Sequence, residues 1–388
     1  MEQLVTSEFK LGIIAGGQLG KMLVLAASNW DVKTYVMDND DHCPASGSCT
    51  YFVRGDNTDY DDVVRFGMMV DMITFEIENI NIEALKTLKA QGKRINPDPL
   101  ILETIQDKGK QKIFYQDNNI PSSDFQLFES KSQIQRALES GTLNIPFVQK
   151  LRTGGYDGRG VAIIRSSEEI SQLLDGPSVI EEMVAVAKEI SVIAARNARG
   201  EVQCYPVVEM EFNDHANLVE RLVCPAAVTA DVEKQAEVLA TQIVTALDLN
   251  GIIAVELFVD KNDNLLVNEV APRPHNSGHH TIESNITSQF EQLLRAIFNF
   301  PLGSTQLKLP AVMINLLGEE DHSGKVKYEG LTESMKVEGV KVHLYGKKVT
   351  KPFRKMGHVT VMDKHIDAAR EKSEIVKNLL KIKSWQNH

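Results

Sequence analysis

Between Glu269 and His280 the chain carries a carboxylate (Glu269), a guanidinium (Arg273), three imidazoles (His275, His279, His280) and a carboxamide (Asn276), with Asn268 just before them. This stretch follows an apolar run, Leu265–Val267, that reads as a strand, and Pro272 and Pro274 stiffen its path. Groups of both signs on a stiffened segment suit the task of holding a metal and a polyanion at fixed positions.

The runs 252–260 and 265–270 flank Lys261-Asn-Asp-Asn264, which reads as a four-residue hairpin loop. A symmetric loop places Glu256 directly opposite Glu269, with Cβ atoms ~5 Å apart, where like charges destabilise a sheet. Apolar neighbours make an uncompensated pair worse. A divalent cation removes the conflict, and Mg²⁺ suits because it takes oxygen from one or two carboxylates together with substrate phosphates. Neutralisation by nearby lysine or arginine, or another register, is the competing reading.

A second candidate is Lys150-Leu-Arg-Thr-Gly-Gly-Tyr-Asp-Gly-Arg-Gly160, which joins two strand-like runs of opposite direction, 146–150 and 161–164. Its glycines let backbone N–H groups approach an anion without Cβ interference, and Lys150, Arg152 and Arg159 surround it with positive charge. No Gly-Lys-Ser/Thr ends the loop, so it is not a Walker A motif. It reads as a flap over nucleotide phosphates; a plain flexible hairpin loop is the alternative.

A third candidate is Ala15-Gly-Gly-Gln-Leu-Gly20 after the strand Lys10–Ile14. It approximates a dinucleotide-binding turn, with Asp38 near the distance of a ribose-binding acid, but Ala15 occupies the first glycine position. A helix amino terminus behind glycines binds any phosphate, and Gln18 could face such a ligand. Asp38 reads more simply as a strand-end acid bound to solvent or a backbone N–H.

The elements that must position these groups alternate. Strand-like runs at 10–14, 32–36, 51–53 and 72–75, with helices at 21–27 and 81–91, predict a parallel sheet with right-handed crossovers. Asn96-Pro-Asp-Pro99 closes this unit, a helical stretch at 100–118 follows, and 231–249 has helical periodicity. Past Pro301, short β-rich runs at 312–316, 342–345 and 358–362 suggest a small domain closed by a basic helix over 366–383. The chain thus reads as an α/β and α+β multidomain protein: an amino-terminal parallel-sheet nucleotide-like domain (1–99), a central domain (100–300, with a flap subdomain about 120–183) and a small β-rich carboxy-terminal domain (301–388).

A length of 388 residues with 43% apolar and 24% charged residues fits a multidomain globular protein. A net charge of −11 argues against nucleic acid or an anionic membrane as partner. The opening Met1–Glu8 lacks the segments of a signal peptide, and the four cysteines form no Cys-x-x-Cys pair, which fits the cytoplasm.

Taken in order, Gly16–Gly20, Thr153–Gly160, Asn268–Arg273 with His275–His279, and Arg354-Lys-Met-Gly-His358 give the chain a pattern that resembles the ATP-grasp superfamily. Within it, the chain is similar to the ligases that carboxylate 5-aminoimidazole ribonucleotide in purine biosynthesis. The resemblance implies an ATP-grasp fold for the central domain, with Mg²⁺, ATP, bicarbonate and 5-aminoimidazole ribonucleotide as ligands, and a homodimer. It implies that Lys108 and Lys150 hold ATP phosphates beneath a flap of Gly155, Tyr156, Asp157, Gly158, Arg159 and Gly160. Glu181, Glu182, Met183 and Val184 would border the adenine, Glu189 the ribose, and Asn268 would stand beside the metal ligands Glu256 and Glu269. Arg273, His275 and Asn276 would be the catalytic groups that bind bicarbonate and stabilise a carboxyphosphate. Gln18, Glu76, Tyr156, Asp157, Arg159, Lys347 and Arg354 would position the ribonucleotide. Lys108 stands where arginine is common in the family, and Phe212 where a histidine is. A nicotinamide-dependent oxidoreductase would leave the carboxylate pair and the glycine-rich loop without a use. A silent nucleotide-binding protein would not retain Glu256, Glu269 and Arg273, and the formate-dependent glycinamide ribonucleotide transformylase is the nearest alternative among ligases.

Overall fold

A computed structural model describes residues 6–155, 160–212 and 218–385. The amino-terminal unit is a five-stranded parallel sheet in the order 51–54, 33–38, 10–14, 72–75, 94–95. Its helices cover both faces, including Tyr60–Met68, which the strand-centred sequence reading passed over. Asp59 caps that helix through Asp62 N–H, and only Val63, Phe66 and Gly67 are buried, so its apolar stripe is too short to stand out.

The helix expected from Lys21 begins earlier, at Gln18, and runs to Ala27. Its inner face shares one apolar cluster with Phe290, Leu293 and Ile297 of the helix Gln289–Ile297, so the amino-terminal unit and the central unit share a core. The single helix expected over 100–118 is two, Pro99–Gln106 and Lys108–Asp117. Asp107 breaks it: its carboxylate takes the N–H groups of Gly109 (2.8 Å) and Lys110 (3.2 Å) and caps the second helix. Lys108 therefore stands on the first turn, aimed across the central cleft.

The central sheet has nine strands. Its path runs 265–271, 251–260, 186–196, 208–212, 219–224, 311–317, 355–362, 340–344, with 202–204 paired to the side of 186–196. Strands from beyond residue 301 thus extend this sheet through the pairing of Val219–Cys224 with Ala311–Leu317. The remaining carboxy-terminal strands form a three-stranded sheet, and the last helix stops at Leu379 rather than near residue 383. The chain then returns as a strand, Lys381–Ser384, against Gly324–Glu329. A separate four-stranded antiparallel sheet, ordered 125–128, 178–182, 147–151, 161–164, carries the glycine-rich loop at its open end. The opposite direction expected for 147–151 and 161–164 is present, and the ladder closes with Leu151 N–H donating to Gly160 O (2.8 Å).

Candidate active site

The hairpin places Glu256 opposite Glu269, but by a different route from the symmetric loop. Asp260 N–H donates to Asn264 O (3.0 Å), so the loop is the three residues Lys261–Asp263, with Asp263 at φ 61°. From the turn outward the pairs are Val259 with Leu265, Phe258 with Leu266 and Leu257 with Val267, one step out of the expected register. A bulge at Asn268 adds one residue to that strand and restores the Glu256–Glu269 pair.

The two carboxylates have different partners. Lys108 Nζ lies 2.6 Å from Glu269 Oε2 and, first among the causes, holds that carboxyl well below the usual range. Burial, then the facing Glu269, pushes Glu256 well above it, and the nearest polar contact of Glu256 is His275 Nε2 at 3.3 Å. Burial, then the charges of Arg273 and Lys355, pushes His275 down to about 3, so it is neutral and cannot balance Glu256. One carboxylate of the pair is thus uncompensated, with its neighbour 45% exposed toward the cleft. Among the described residues no group of three or more His, Cys, Asp or Glu is placed to hold a metal. A pair of carboxylates that leaves the remaining positions to phosphate and water is the donor set Mg²⁺ accepts, so the residues fit.

The lysines are set by buried partners. Lys150 Nζ donates to Asn268 Oδ1 (2.9 Å) and lies 3.1 Å from Glu181 Oε1. Glu181 also takes Ser123 Oγ–H (2.8 Å) and lies 3.5 Å from Lys112, whose ammonium burial pushes down to about 8. The Glu181 side chain therefore faces inward and orients lysines, while Glu182 and Met183 are exposed and Val184 half-buried, on the link from the flap sheet to the central one. Glu189 stands five residues on, and burial pushes its carboxyl up to about 7. Arg152, counted among the charges around the loop, makes a bidentate bond to Asp107 (2.9 and 2.6 Å) and braces the helix start that bears Lys108. Gly155 and Gly160 flank the loop tip; Tyr156, Asp157, Gly158 and Arg159 lie outside the described residues.

The segment from Arg273 is held from three sides. Arg273 Nη2 meets Glu78 Oε1 (2.7 Å), Nη1 donates to Pro274 O (2.9 Å), and Nε is buried with no hydrogen-bond partner among the described residues. The backbone of His275 is clamped by Gln289, which accepts its N–H (2.8 Å) and donates to its carbonyl (2.7 Å). Ser277 N–H donates to His275 Nδ1 (3.3 Å), which leaves the proton on Nε2, toward Glu256. Asn276 opens the short 3₁₀ turn Asn276–Gly278.

At the amino-terminal turn the structure overturns the phosphate cradle. Glu76 takes Gly17 N–H (2.7 Å) and Gly20 N–H (2.8 Å), and Asp38 takes Gly16 N–H (2.7 Å), so the chain's own carboxylates occupy the helix start. A Cβ on Gly17 would lie 2.4 Å from Glu76 Oε1, which is why glycine is required there. Burial pushes Glu76 up to about 7 against the pull of those N–H groups. Gln18 Oε1 instead accepts from Lys347 Nζ (3.1 Å), which also donates to Lys355 O (2.8 Å), while Arg354 Nη1 donates to Val349 O (2.6 Å).

Five residues of this site went unrecognised in the sequence: Glu78, Lys112, Gln289, Ser277 and Lys355. Lys355 had a signal, since it lies inside the Arg354–His358 motif; Gln289 had none, because its role is to hold a backbone distant in sequence.

Three families match in order: the ribonucleotide synthetase preATP-grasp domain over 9–106, the ATP-grasp domain over 113–290, and the phosphoribosylaminoimidazole carboxylase C-terminal domain over 311–372. The N5-carboxyaminoimidazole ribonucleotide synthase of Bacillus subtilis is 34% identical over 365 residues, covering 93% of each chain. That of Aquifex aeolicus is 36% identical, covering 96% of this chain and 97% of its own. The chain spans 64% of the chloroplastic phosphoribosylaminoimidazole carboxylase of Vigna aconitifolia and 36% of a bifunctional purine synthesis protein of Dictyostelium discoideum. Among solved structures, the synthetase of Thermotoga maritima superposes with a TM-score of 0.89 at 42% identity, covering 97% of this chain and all of that one. The Aspergillus clavatus enzyme, solved with ADP and 5-aminoimidazole ribonucleotide, superposes with a TM-score of 0.87 at 29% identity, covering 96% of this chain and 98% of its own. With three family matches in order and relatives at 34–36% identity aligned over more than nine-tenths of it, the chain belongs to the N5-carboxyaminoimidazole ribonucleotide synthase family of ATP-grasp enzymes.

Proposed function

We propose that this chain carries out the reaction for which its family is named, the ATP-dependent carboxylation of 5-aminoimidazole ribonucleotide to N5-carboxyaminoimidazole ribonucleotide in purine biosynthesis. The observation that carries the reading is the convergence of a facing carboxylate pair, two lysines and the Arg273–Asn276 segment on one cleft.

A bicarbonate oxygen attacks the γ-phosphorus of ATP; the new O–P bond forms as the bond to the β-bridging oxygen breaks and ADP leaves. The exocyclic amine of the ribonucleotide then forms an N–C bond with the carboxyl carbon, attacking either the carboxyphosphate or the carbon dioxide released from it. The C–O bond to phosphate breaks, and phosphate accepts the amine proton. Lys108 and Lys150 neutralise the ATP phosphates, the glycine-rich loop contributes to their binding, and Asn268 fixes Lys150. Glu181–Val184 border the adenine, through backbone groups for the inward-turned Glu181, and Glu189 accepts the ribose hydroxyls. Arg273 and Asn276 hold bicarbonate and the developing carboxyphosphate, and neutral His275 donates from Nε2 without adding a charge that would hold the anion back. Gln18, Lys347, Arg354, Tyr156, Asp157 and Arg159 position the ribonucleotide, and Glu76 fixes the turn that presents Gln18. Glu256 and Glu269 would hold Mg²⁺, which when bound would supply charge neutralisation to the phosphates.

The same proposal takes the domains as 1–99, 100–300 and 301–388, the assembly as a homodimer and the location as cytoplasmic. No helix among the described residues is long and apolar enough to cross a membrane. The test is ADP release measured with each candidate amine acceptor, with and without bicarbonate. ADP formation that requires both 5-aminoimidazole ribonucleotide and bicarbonate is expected. Release indifferent to both overturns the reading, and dependence on formate with glycinamide ribonucleotide would favour the transformylase.

A further inference from the structure

His279 and His280 are each 1% exposed, and neither ring nitrogen of either has a hydrogen-bond partner among the described residues. The His280 ring faces the backbone of Ser277. His279 does not stand alone: its ring stacks on that of His358, centroids 4.6 Å apart and planes 28° from parallel. His358 stacks in turn on His343, at 4.3 Å and 8°, the two being direct cross-strand partners. His343 Nε2 then meets Glu283 Oε1 at 2.6 Å, and Glu283 lies in the short helix Thr281–Ser284 that follows His279. Tyr345 OH bonds His358 Nδ1 at 3.0 Å and walls one side.

The result is a closed circuit. A segment that begins four residues after His275 grips the strand pair Val340–Leu344 and Lys355–Met362 at two points, His279 on His358 and Glu283 on His343. That strand pair carries Lys347, Arg354 and Lys355, and the Lys355 charge reaches His275. At its other end the segment is rigid: Thr281 Oγ donates to Gly278 O (2.5 Å) and accepts from Gln289 N–H (2.9 Å), and Gln289 clamps His275. A Cβ on Gly278 would lie 2.3 Å from Ile193, so the turn between has no room to adjust. Burial holds His279 and His358 far below the ordinary imidazole range, so the contact between them is one of neutral ring faces rather than of charge.

We infer that His279 and His358 are positioning residues, whose stacked rings set the distance between the bicarbonate-binding segment Arg273–Asn276 and the strand pair that presents Lys347, Arg354 and Lys355 to the ribonucleotide. The inference rests on the proposed function, because it assigns the stack the task of keeping two substrates in register. ATP, held by Lys108, Lys150 and the flap sheet, lies outside the circuit.

The experiment compares parent protein with His279→Ala, His279→Phe and His343→Ala. It reads KM for ATP, KM for bicarbonate and for the amine acceptor, the ratio of ADP released to product carboxylated, and the thermal midpoint. Displacement by about 1 Å can cost on the order of a hundredfold in rate. His279→Ala is therefore expected to raise KM for bicarbonate or acceptor about tenfold or more. ADP release should then outrun carboxylation, with KM for ATP within about twofold of parent. Phenylalanine, which restores a ring face without nitrogens, should recover most of the coupling. His343→Ala, at the partly exposed end of the stack, should shift coupling the same way and less. A parental coupling ratio in His279→Ala, or a rise in KM for ATP in step with the others, overturns the inference. If His279→Ala does not fold, parental coupling in His343→Ala overturns it instead. Failure of the proposed function would appear in the parent, as ADP release independent of acceptor and bicarbonate.

Discussion

Asn268 is both the extra residue of the bulge that brings Glu269 opposite Glu256 and the residue whose Oδ1 accepts from Lys150 Nζ at 2.9 Å. One backbone irregularity thus sets an acid of the facing pair and the cleft lysine Lys150 together. Replacing the carboxamide tests the second effect without disturbing the first, since the bulge is a backbone feature. Asn268→Ala is expected to raise KM for ATP about tenfold, the order of a lost hydrogen bond to a charged group. The thermal midpoint should hold within a few degrees. Titration of ATP against the two proteins reads this directly, and an unchanged KM would show that Glu181 alone fixes Lys150.

The facing carboxylates make a paired prediction. Glu269→Gln removes one like charge and keeps the shape, so the fold should be retained while turnover falls by at least about a hundredfold. Glu256→Gln should also lose activity, but its removal leaves no lysine unpaired, because only Glu269 bonds Lys108. The thermal midpoint without nucleotide should therefore rise or stay level for Glu256→Gln and fall for Glu269→Gln. Both midpoints moving together would refute the division of partners.

Glu181 is expected to matter for folding as much as for catalysis. Its side chain is 5% exposed and faces Lys112, itself 3% exposed, with Lys150 on the other side. Glu181→Ala leaves two ammonium groups without their shared counter-charge in a dry site. Breaking a buried pair in this way costs about 3–5 kcal/mol. Denaturant unfolding of the variant checks it. A loss below about 1 kcal/mol would mean that water reaches the lysines, as at surface pairs.

The sequence alone was enough to place about half of the strands, the antiparallel arms of the glycine-rich loop and the Glu256–Glu269 pair, because each rests on period-two patterning or on local turn chemistry. Where it failed, two local signals competed. Asp107 could be a helix residue or a cap, and the capping bonds to Gly109 and Lys110 decided for the cap. The glycine-rich turn could serve a phosphate or a carboxylate, and nothing near Gly17 reveals that Glu76, just past the distant strand Met72–Phe75, fills the helix start. The hairpin shows a subtler failure, since the register was right at the acids although the loop length was wrong. A bulge leaves no mark in apolar alternation when its extra residue, here Asn268, is polar and faces a ligand site. The continuity of the central sheet into the carboxy-terminal strands was equally illegible, because strand order between distant segments is not written in either segment.

Glu189 gives the pH dependence its sign. Burial, outweighing the pull of Lys150, raises its carboxyl from the ordinary value to about 7 in the folded chain. Between the unfolded and folded values the native state binds more protons than the unfolded chain, so stability falls as pH rises. The contribution is complete below about 4.5 and lost as pH passes through about 7. Glu76, also raised to about 7, acts in the same direction. The thermal midpoint without nucleotide is thus expected to decline between these pH values, and Glu189→Gln should flatten part of that slope. Ligand binding should run the other way. A carboxylate accepts ribose hydroxyls better ionised than protonated, so parent affinity for ATP should improve as pH rises through 7, while Glu189→Gln should show weaker and nearly pH-independent affinity. Calorimetric titration across that range distinguishes the cases, and a parent affinity that is flat with pH would remove Glu189 from the ribose site.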